Sequence, residues 1–278
     1  LYNTNKKILQ WYSLNKRDLP WRRTNDPYKI WLSEVMLQQT QVETVIPYYE
    51  KWINHYPTIK SVALENIDNL LKIWEGLGYY SRCRNFHEAI KDIFYNHKGV
   101  IPKQIEDFKS LKGVGVYISG AVMSIAFNQT HIAVDGNHSR IIARVLGVKN
   151  QTSRNLKRIN NYLTKLVTEG NPGEINQALM DMGSNICKSN KVICVNCPFR
   201  FSCKAFQSGH PLSYPKKIRP KTIPTKTIAA ALVNHGDNIF ITKRPLKGLL
   251  GGLWELPNIE LVNGEKPEDL LKIKLADQ

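Results

Sequence analysis

The chain is short of acidic residues, of cysteine and of long apolar runs. Of its 278 residues only 23 are Asp or Glu, against 39 Lys or Arg, which leaves a net charge of +16. The longest apolar stretches, such as Ile228 to Val233, fall far below the ~20 residues a membrane span needs, so no membrane protein is expected. No charged stretch followed by an apolar core opens the sequence, so no secretory signal is expected. No repeat at a period of roughly 20–50 residues occurs, which excludes a solenoid. With 42% hydrophobic and 22% charged residues, the composition excludes wholesale disorder, collagen and low-complexity filaments. The length suits two or three domains better than one small domain.

The basic excess is uneven. Residues 1–225 hold 32 basic and 16 acidic residues, whereas residues 226–278 hold 7 of each. A polyanion is the natural partner of the first 225 residues, and DNA or RNA is the first candidate.

Up to about residue 203 the pattern is helical. Ile67, Leu70, Leu71 and Trp74 recur at helical spacing, and strand-like alternation is scarce. Asp26-Pro27 marks a helix start, a capping acid followed by proline at the first helical position. From Lys204 to Lys226, Pro211, Pro215, Pro220 and Pro224 stand among six basic residues and no acids, which predicts an extended basic linker. Beyond it, Ile228 to Val233, a turn at His235-Gly236-Asp237-Asn238 and Ile239 to Thr242 predict a β-hairpin. The roughly 50 residues left there are thin for an independent β domain, so residues 227–278 are expected to be an incomplete one.

Four of the 5 cysteines, Cys187, Cys194, Cys197 and Cys203, form a C-x6-C-x2-C-x5-C run. Disulfides are one reading, but a basic chain without a signal points to a reducing compartment, where such clustering more often means metal. Four thiolates with no intervening histidine suit zinc or an iron–sulfur cluster. Structural zinc usually takes two C-x2-C pairs, and only Cys194 and Cys197 form one. The uneven loops favour a [4Fe-4S] cubane wrapped by one loop, with Lys188, Lys191 and Arg200 presenting charge to a phosphate backbone. Cys83 stands alone and is expected to be a core thiol.

Leu111-Lys112-Gly113-Val114-Gly115-Val116-Tyr117 lies between helical windows at Ile105 to Ser110 and Ile118 to Phe127. Amides around Gly113 and Gly115, at a helix start, suit a phosphate. Asp135, eighteen residues after Tyr117 in Val134-Asp135-Gly136-Asn137, is by itself as compatible with a turn or helix cap as with chemistry.

Glycine hairpin, V-D-G-N and cysteine run, in that order, resemble the helix-hairpin-helix DNA glycosylase superfamily. The resemblance covers residues ~5 to 204. Within it, Leu19-Pro20-Trp21, Trp31-Leu32-Ser33-Glu34-Val35-Met36-Leu37-Gln38-Gln39-Thr40, Gly76-Leu77-Gly78-Tyr79-Tyr80 and Asn176-Gln177-Ala178-Leu179-Met180-Asp181 resemble the adenine DNA glycosylase branch of the MutY type. Arg244-Pro245 and the run Gly248 to Glu255 resemble the start of that family's Nudix-like C-terminal domain. The resemblance implies a mainly α fold: a helical catalytic region at 1–203, with the helix-hairpin-helix at 105–127 and the iron–sulfur loop at 187–203, then a linker at 204–226 and a truncated Nudix-like start at 227–278. Lys112 stands where the hairpin usually has proline, and His138 where valine is common; neither is expected to touch the chemistry.

The resemblance further implies a monomeric, cytoplasmic, DNA-associated base-excision repair enzyme that hydrolyses adenine mispaired with 8-oxoguanine or guanine in double-stranded DNA. The nucleotide must be flipped out for this. One carboxylic acid then protonates the leaving base while a carboxylate faces the oxocarbenium-like sugar. For the acid, Glu34 and Glu43 compete. On a helix Glu34 is flanked by Ile30, Trp31, Leu37 and Gln38, a mostly apolar set that raises a carboxyl pKa. Glu43 is flanked by Gln39, Thr40, Ile46 and Pro47, wetter and near an expected helix break. The family's catalytic glutamate also falls on Glu34. Asp135 is the expected ionised partner, with Tyr117 and Asn137 supporting it. Gln39 and Tyr79 match positions that wedge into the base stack and hold the orphaned base, Thr40 is expected to bind DNA beside them, and Gly113, Val114 and Gly115 match the phosphate grip.

Two other readings stand beside this one. An endonuclease III-like glycosylase/lyase would carry a nucleophilic lysine in the hairpin, where this chain has Tyr117. A non-catalytic DNA-binding iron–sulfur protein would leave the Glu34/Asp135 pair accidental.

Overall fold

Helix starts fall where the capping side chains stand. In the computed structural model, which describes residues 2–216, 224–246, 248, 250–262 and 266–276, Asp26 accepts a hydrogen bond from the Tyr28 amide at 2.9 Å, with Pro27 at the first helical position. The helices up to residue 207 are α1 (Tyr2–Asn15), α2 (Pro27–Met36), α3 (Val42–His55), α4 (Ile59–Ala63), α5 (Ile67–Trp74), α6 (Ser81–Asn96), α7 (Ile105–Ser110), α8 (Val116–Phe127), α9 (Gly136–Leu146), α10 (Ser153–Thr168), α11 (Pro172–Asn185) and α12 (Lys204–Gln207). Asn66, Thr152 and Asn171 cap α5, α10 and α11 in the same way as Asp26 caps α2. Pro47 lies inside α3 rather than ending it. The carbonyl that proline leaves unbonded belongs to Glu43, in the exposed first turn, where water can satisfy it.

Contacts divide the chain into two units, Leu1–Gly78 with Arg82–Lys217, and Tyr79–Ser81 with Ile218–Gln278. The first unit has an aromatic core in which Trp31 meets Phe86 and Phe108 edge-on, and Trp52 meets Trp74 and Phe86 likewise. A second core packs Ile141, Ile142, Leu163, Leu166, Leu179 and Met182 of α9, α10 and α11 against Ile8 of α1. Helix α8 packs against α2, α7 and α11, and α9 against α10, α11 and α12. The stretch expected to run extended from Lys204 differs at its start: it opens with α12, whose Ala205 is buried in the second core. Its residues 217–223, like Leu249 of the Gly248–Glu255 motif, lie outside the described residues.

The second unit carries β1 (Thr227–Ala230), β2 (Asn234–His235), β3 (Asn238–Ile239), β4 (Thr242–Lys243), β5 (Trp254–Glu255), β6 (Asn258–Leu261) and α13 (Pro267–Ala276). The expected hairpin is present only in part. β2 pairs with β3 across Gly236-Asp237, with Gly236 at φ +57° in the first central position, where hairpin turns favour glycine. β1 instead pairs antiparallel with the distant β6, Ile228 opposite Glu260, and β4 pairs with β5. A local turn signal fixes only the residues beside it, whereas the longer strand takes whichever partner the chain brings alongside.

Candidate active site

Three helices build the site. Glu34 sits in the middle of α2, and burial of Ile30 and Trp31 beside it leaves the residue only 4% exposed. Packing of α8 onto α2 brings Tyr117, the second residue of α8, to it: Tyr117 Oη donates to Glu34 Oε2 at 2.7 Å. Burial drives the Glu34 carboxyl above its ordinary pKa. The Tyr117 hydroxyl, Arg22 and His138 pull it down, and the Asp135 charge pushes it up again. Burial and the neighbouring Glu34 charge raise Tyr117 well above a usual phenol, so it remains a hydrogen-bond donor. Glu43, by contrast, is exposed in the first turn of α3.

Asp135 is the N-cap of α9, so the cap reading and the site reading describe one residue. Its Oδ1 accepts from the His138 amide at 2.8 Å and lies 2.6 Å from His138 Nδ1, while Oδ2 accepts from Asn137 Nδ2 at 2.8 Å. Burial alone would raise this carboxyl; the His138 and Asn137 hydrogen bonds outweigh burial and hold it below the ordinary value. His138 was expected to stand clear of the chemistry; its buried ring lies on Asp135, the carboxylate assigned to it. The residue type at one position carries no sign that a helix turn will fold it back onto the cap three residues earlier.

Asn137 is wedged rather than free. Arg140 Nη2 donates to its Oδ1 at 2.7 Å and to Gly183 O at 2.9 Å. A Cβ on Gly183 of α11 would meet Asn137 Cβ at 2.5 Å, so only glycine lets α11 approach the site this closely.

In the hairpin, Gly113 has φ +77°, and a Cβ there would meet Asn85 Cβ at 2.8 Å. Gly115 is extended and precedes α8, which no side chain caps, so its first amides are left for an external acceptor. The Val114 side chain is buried and its amide donates to Leu111 O at 3.1 Å, which removes it from the set of free donors. Lys112 lies on the surface, 3.2 Å from Glu88.

This is a helix–hairpin–helix leading into a pair of carboxylates, Glu34 buried and Asp135 half-buried. The family model described as the HhH-GPD superfamily base excision DNA repair protein matches residues 32–167. Adenine DNA glycosylase of Buchnera aphidicola subsp. Acyrthosiphon pisum is 33% identical over 98% of this chain and 78% of its own length. The chain belongs to the adenine DNA glycosylase family. The Arabidopsis thaliana and Homo sapiens adenine DNA glycosylases are 34% and 33% identical, each over 91% of this chain, which spans 47% and 56% of their lengths. Among solved structures, a thermostable thymine-DNA glycosylase matches with TM-score 0.67 and 27% identity, over 73% of this chain and 95% of its own. A trapped endonuclease III–DNA covalent intermediate matches with TM-score 0.63 at 18% identity, over 74% of this chain and 94% of its own, and so shares the fold.

The family's two characteristic loops are tied together by Arg82, which sequence reasoning passed over. Its Nη1 donates to Val35 O, Met36 O and Gln38 O at 2.6–3.0 Å, and its Nη2 to Thr40 Oγ1, Leu77 O and Gly78 O at 3.1–3.3 Å. These carbonyls belong to the motifs at residues 31–40 and 76–80. Thr40, expected at the DNA, is half-buried beneath that clamp. Gln39 and Tyr79 are exposed and hold φ +56° and +48°. Non-glycine residues rarely adopt that region, and such strain gathers at binding sites.

Asn176 and Asp181 of α11 are also missing from the sequence-based site. Asn176 donates to Ser124 Oγ and His131 O and accepts from the Ala133 amide, anchoring the strand-like approach to Asp135. Fully buried Asp181 is held by Arg17 at 2.7 Å and Arg22 at 2.6 Å, which fixes Arg22 near Glu34. The signal was in the N-Q-A-L-M-D motif, but a buried acid is legible only with its partners in view.

The four clustered cysteines are free thiols, and their sulfurs lie close enough to act on one another's ionisation. Arg144 of α9 fastens their loop, donating to Cys187 Sγ at 3.1 Å and Lys188 O at 2.8 Å, while Arg140 donates to Cys187 O at 2.9 Å. Among the described residues no three His, Cys, Asp or Glu side chains converge to hold a metal ion. Cys83 is fully buried in α6, and burial pushes its thiol up to about 12. No described helix is long and apolar enough to cross a membrane.

Proposed function

We propose that the chain excises adenine mispaired with 8-oxoguanine or guanine from double-stranded DNA, by hydrolysis. The observation that carries this reading is the opposed pair of carboxyls: Glu34 raised by burial, Asp135 held low by hydrogen bonds, both coupled in one site. Environments that push two carboxyls apart assign one as acid and one as base or charge stabiliser. Glu34 donates its proton to a ring nitrogen of the flipped adenine as the C1′–N bond breaks. Asp135, ionised, faces the sugar cation, and water adds at C1′ and releases its proton. Tyr117 orients Glu34, and Asn137 orients Asp135.

The lyase reading is disfavoured by residue chemistry. Tyr117 cannot form a Schiff base, and Lys112 is engaged at the surface by Glu88. The net charge of +16, carried by residues 1–225, supports duplex DNA as partner. Gln39 and Tyr79 are the residues we assign to the opened base stack, and the amides at the start of α8 to a phosphate. Residues 227–278 we read as the start of a Nudix-like domain.

Cys187, Cys194, Cys197 and Cys203 fit a [4Fe-4S] cluster in donor type and in their shared loop. When bound, the cluster supplies four iron–thiolate bonds that cross-link that loop; Arg140 and Arg144 join the loop to the helix that begins at Asp135. Anaerobically purified protein should hold about four irons per chain; one zinc and no iron overturns the assignment.

Single-turnover kinetics on an A:8-oxoguanine duplex test the whole reading. Glu34→Gln and Asp135→Asn should each lose excision by about 10²–10⁴-fold while retaining duplex binding. Full activity in either variant overturns it.

A further inference from the structure

The imidazole of His138 is completely buried and stands 2.6 Å from Asp135 Oδ1. Nothing among the described protein groups bonds its other nitrogen, Nε2. A neutral ring therefore has one productive place for its proton, Nδ1, facing a carboxylate. The backbone amide of the same residue also donates to Oδ1, at 2.8 Å. Oδ1 thus takes two donors from His138, and Oδ2 takes one, from Asn137. The two oxygens of Asp135 are unequal: Oδ1 is committed to the helix, and Oδ2 retains accepting capacity.

From this geometry we propose that His138 is a positioning residue for the glycosylase reaction, fixing the carboxylate of Asp135 so that Oδ2 is the oxygen presented to the sugar cation. The inference rests on Asp135 being the catalytic carboxylate proposed above. It goes beyond that reading because it assigns a role to a side chain that a helix cap does not need: the His138 amide alone caps α9. The ring, itself fully buried, adds a second, charge-assisted donor to the carboxylate.

The ring also acts on the ionisation of Asp135. The groups that act with it are Glu34 from α2, Tyr117 from α8, and Arg140 from α9 itself; Asp181 on α11 is occupied by Arg17 and Arg22. Burial opposes ionisation, so the His138 bond is among the contacts that keep Asp135 charged. Removing the ring moves the Asp135 carboxyl toward higher pKa, and activity that needs the carboxylate is then lost at a higher pH as acidity increases.

The test uses the full chain and an A:8-oxoguanine duplex, with single-turnover rates across pH at saturating enzyme. Two apolar variants, His138→Val and His138→Phe, bracket the imidazole in size, so that overpacking or a cavity does not decide the result. His138→Asn places an amide nitrogen where Nδ1 stands. The apolar variants should lose roughly tenfold in rate at neutral pH, with the acid limb of the profile displaced to higher pH. His138→Asn should restore both, and duplex affinity should be unchanged throughout. An unmoved acid limb in the apolar variants, or no recovery in His138→Asn, overturns the role of His138. Asp135→Asn is measured alongside: if it keeps full activity, the catalytic reading of Asp135 has failed instead.

Discussion

Tyr117 Oη lies 2.7 Å from Glu34 Oε2, so the first residues of the helix after the glycine hairpin orient a carboxyl group eighty-three positions earlier in the chain. The hydroxyl donates and the carboxyl accepts, which leaves the opposite carboxyl oxygen as the place for the transferable proton. The amides we assign to a phosphate and the hydroxyl that holds Glu34 thereby share the start of α8, while Glu34 itself stands on α2.

Removing that one hydroxyl should separate orientation from acidity. Tyr117→Phe is expected to slow single-turnover excision by about tenfold, less than Glu34→Gln, with duplex affinity unchanged. Glu43→Gln, on the exposed face of α3, should keep nearly full rate. A dead Glu43→Gln beside an active Glu34→Gln would show that burial pointed to the wrong glutamate.

The pH dependence follows from the two shifts. In the proposed roles Asp135 acts ionised, and its carboxyl is held low, so activity should fall only as pH drops through that depressed value. In the same proposal Glu34 acts protonated, and its carboxyl is raised, so activity should fall as pH rises through that elevated value. The single-turnover profile should be bell-shaped, its alkaline limb absent from Glu34→Gln's residual rate. A profile whose alkaline limb survives in that variant assigns the limb to another group.

Arg82 should matter to stability before it matters to chemistry. Arg82→Met removes the Arg82 donors from five buried or half-buried backbone carbonyls and Thr40 Oγ1; of the carbonyls, Gly78 O keeps Trp74 Nε1 and Gln38 O keeps Thr40 Oγ1. Destabilisation on the order of 3 kcal/mol is expected in denaturant melts. Arg82→Lys, a single point donor in place of a planar fork, should recover only part of it.

Duplex affinity should depend steeply on salt. Each phosphate neutralised contributes roughly −0.9 to the slope of log affinity against log salt. Measured by fluorescence anisotropy, a slope near zero would remove electrostatic docking from the account.

The helical first unit was legible because capping residues and apolar spacing act over a few residues, as at Asp26-Pro27 and at Ile67 to Trp74. Motif order carried the resemblance that pointed to Glu34, Asp135, Tyr117 and Asn137, and spacing marked the four cysteines. Spacing along the chain also separated Glu34 from Glu43, since a buried flank is a local property of one helix. The sequence had no means of showing that His138 turns back onto Asp135, that Arg82 collects carbonyls from two motifs, or that Asp181 binds Arg17 and Arg22 across more than 150 positions. The β1 strand paired with β6 rather than with its neighbour for the same reason. Backbone propensity and turn chemistry are settled by adjacent residues, but a buried charge or a strand edge is satisfied by whatever group packing delivers. Only the tertiary structure decides which group that is.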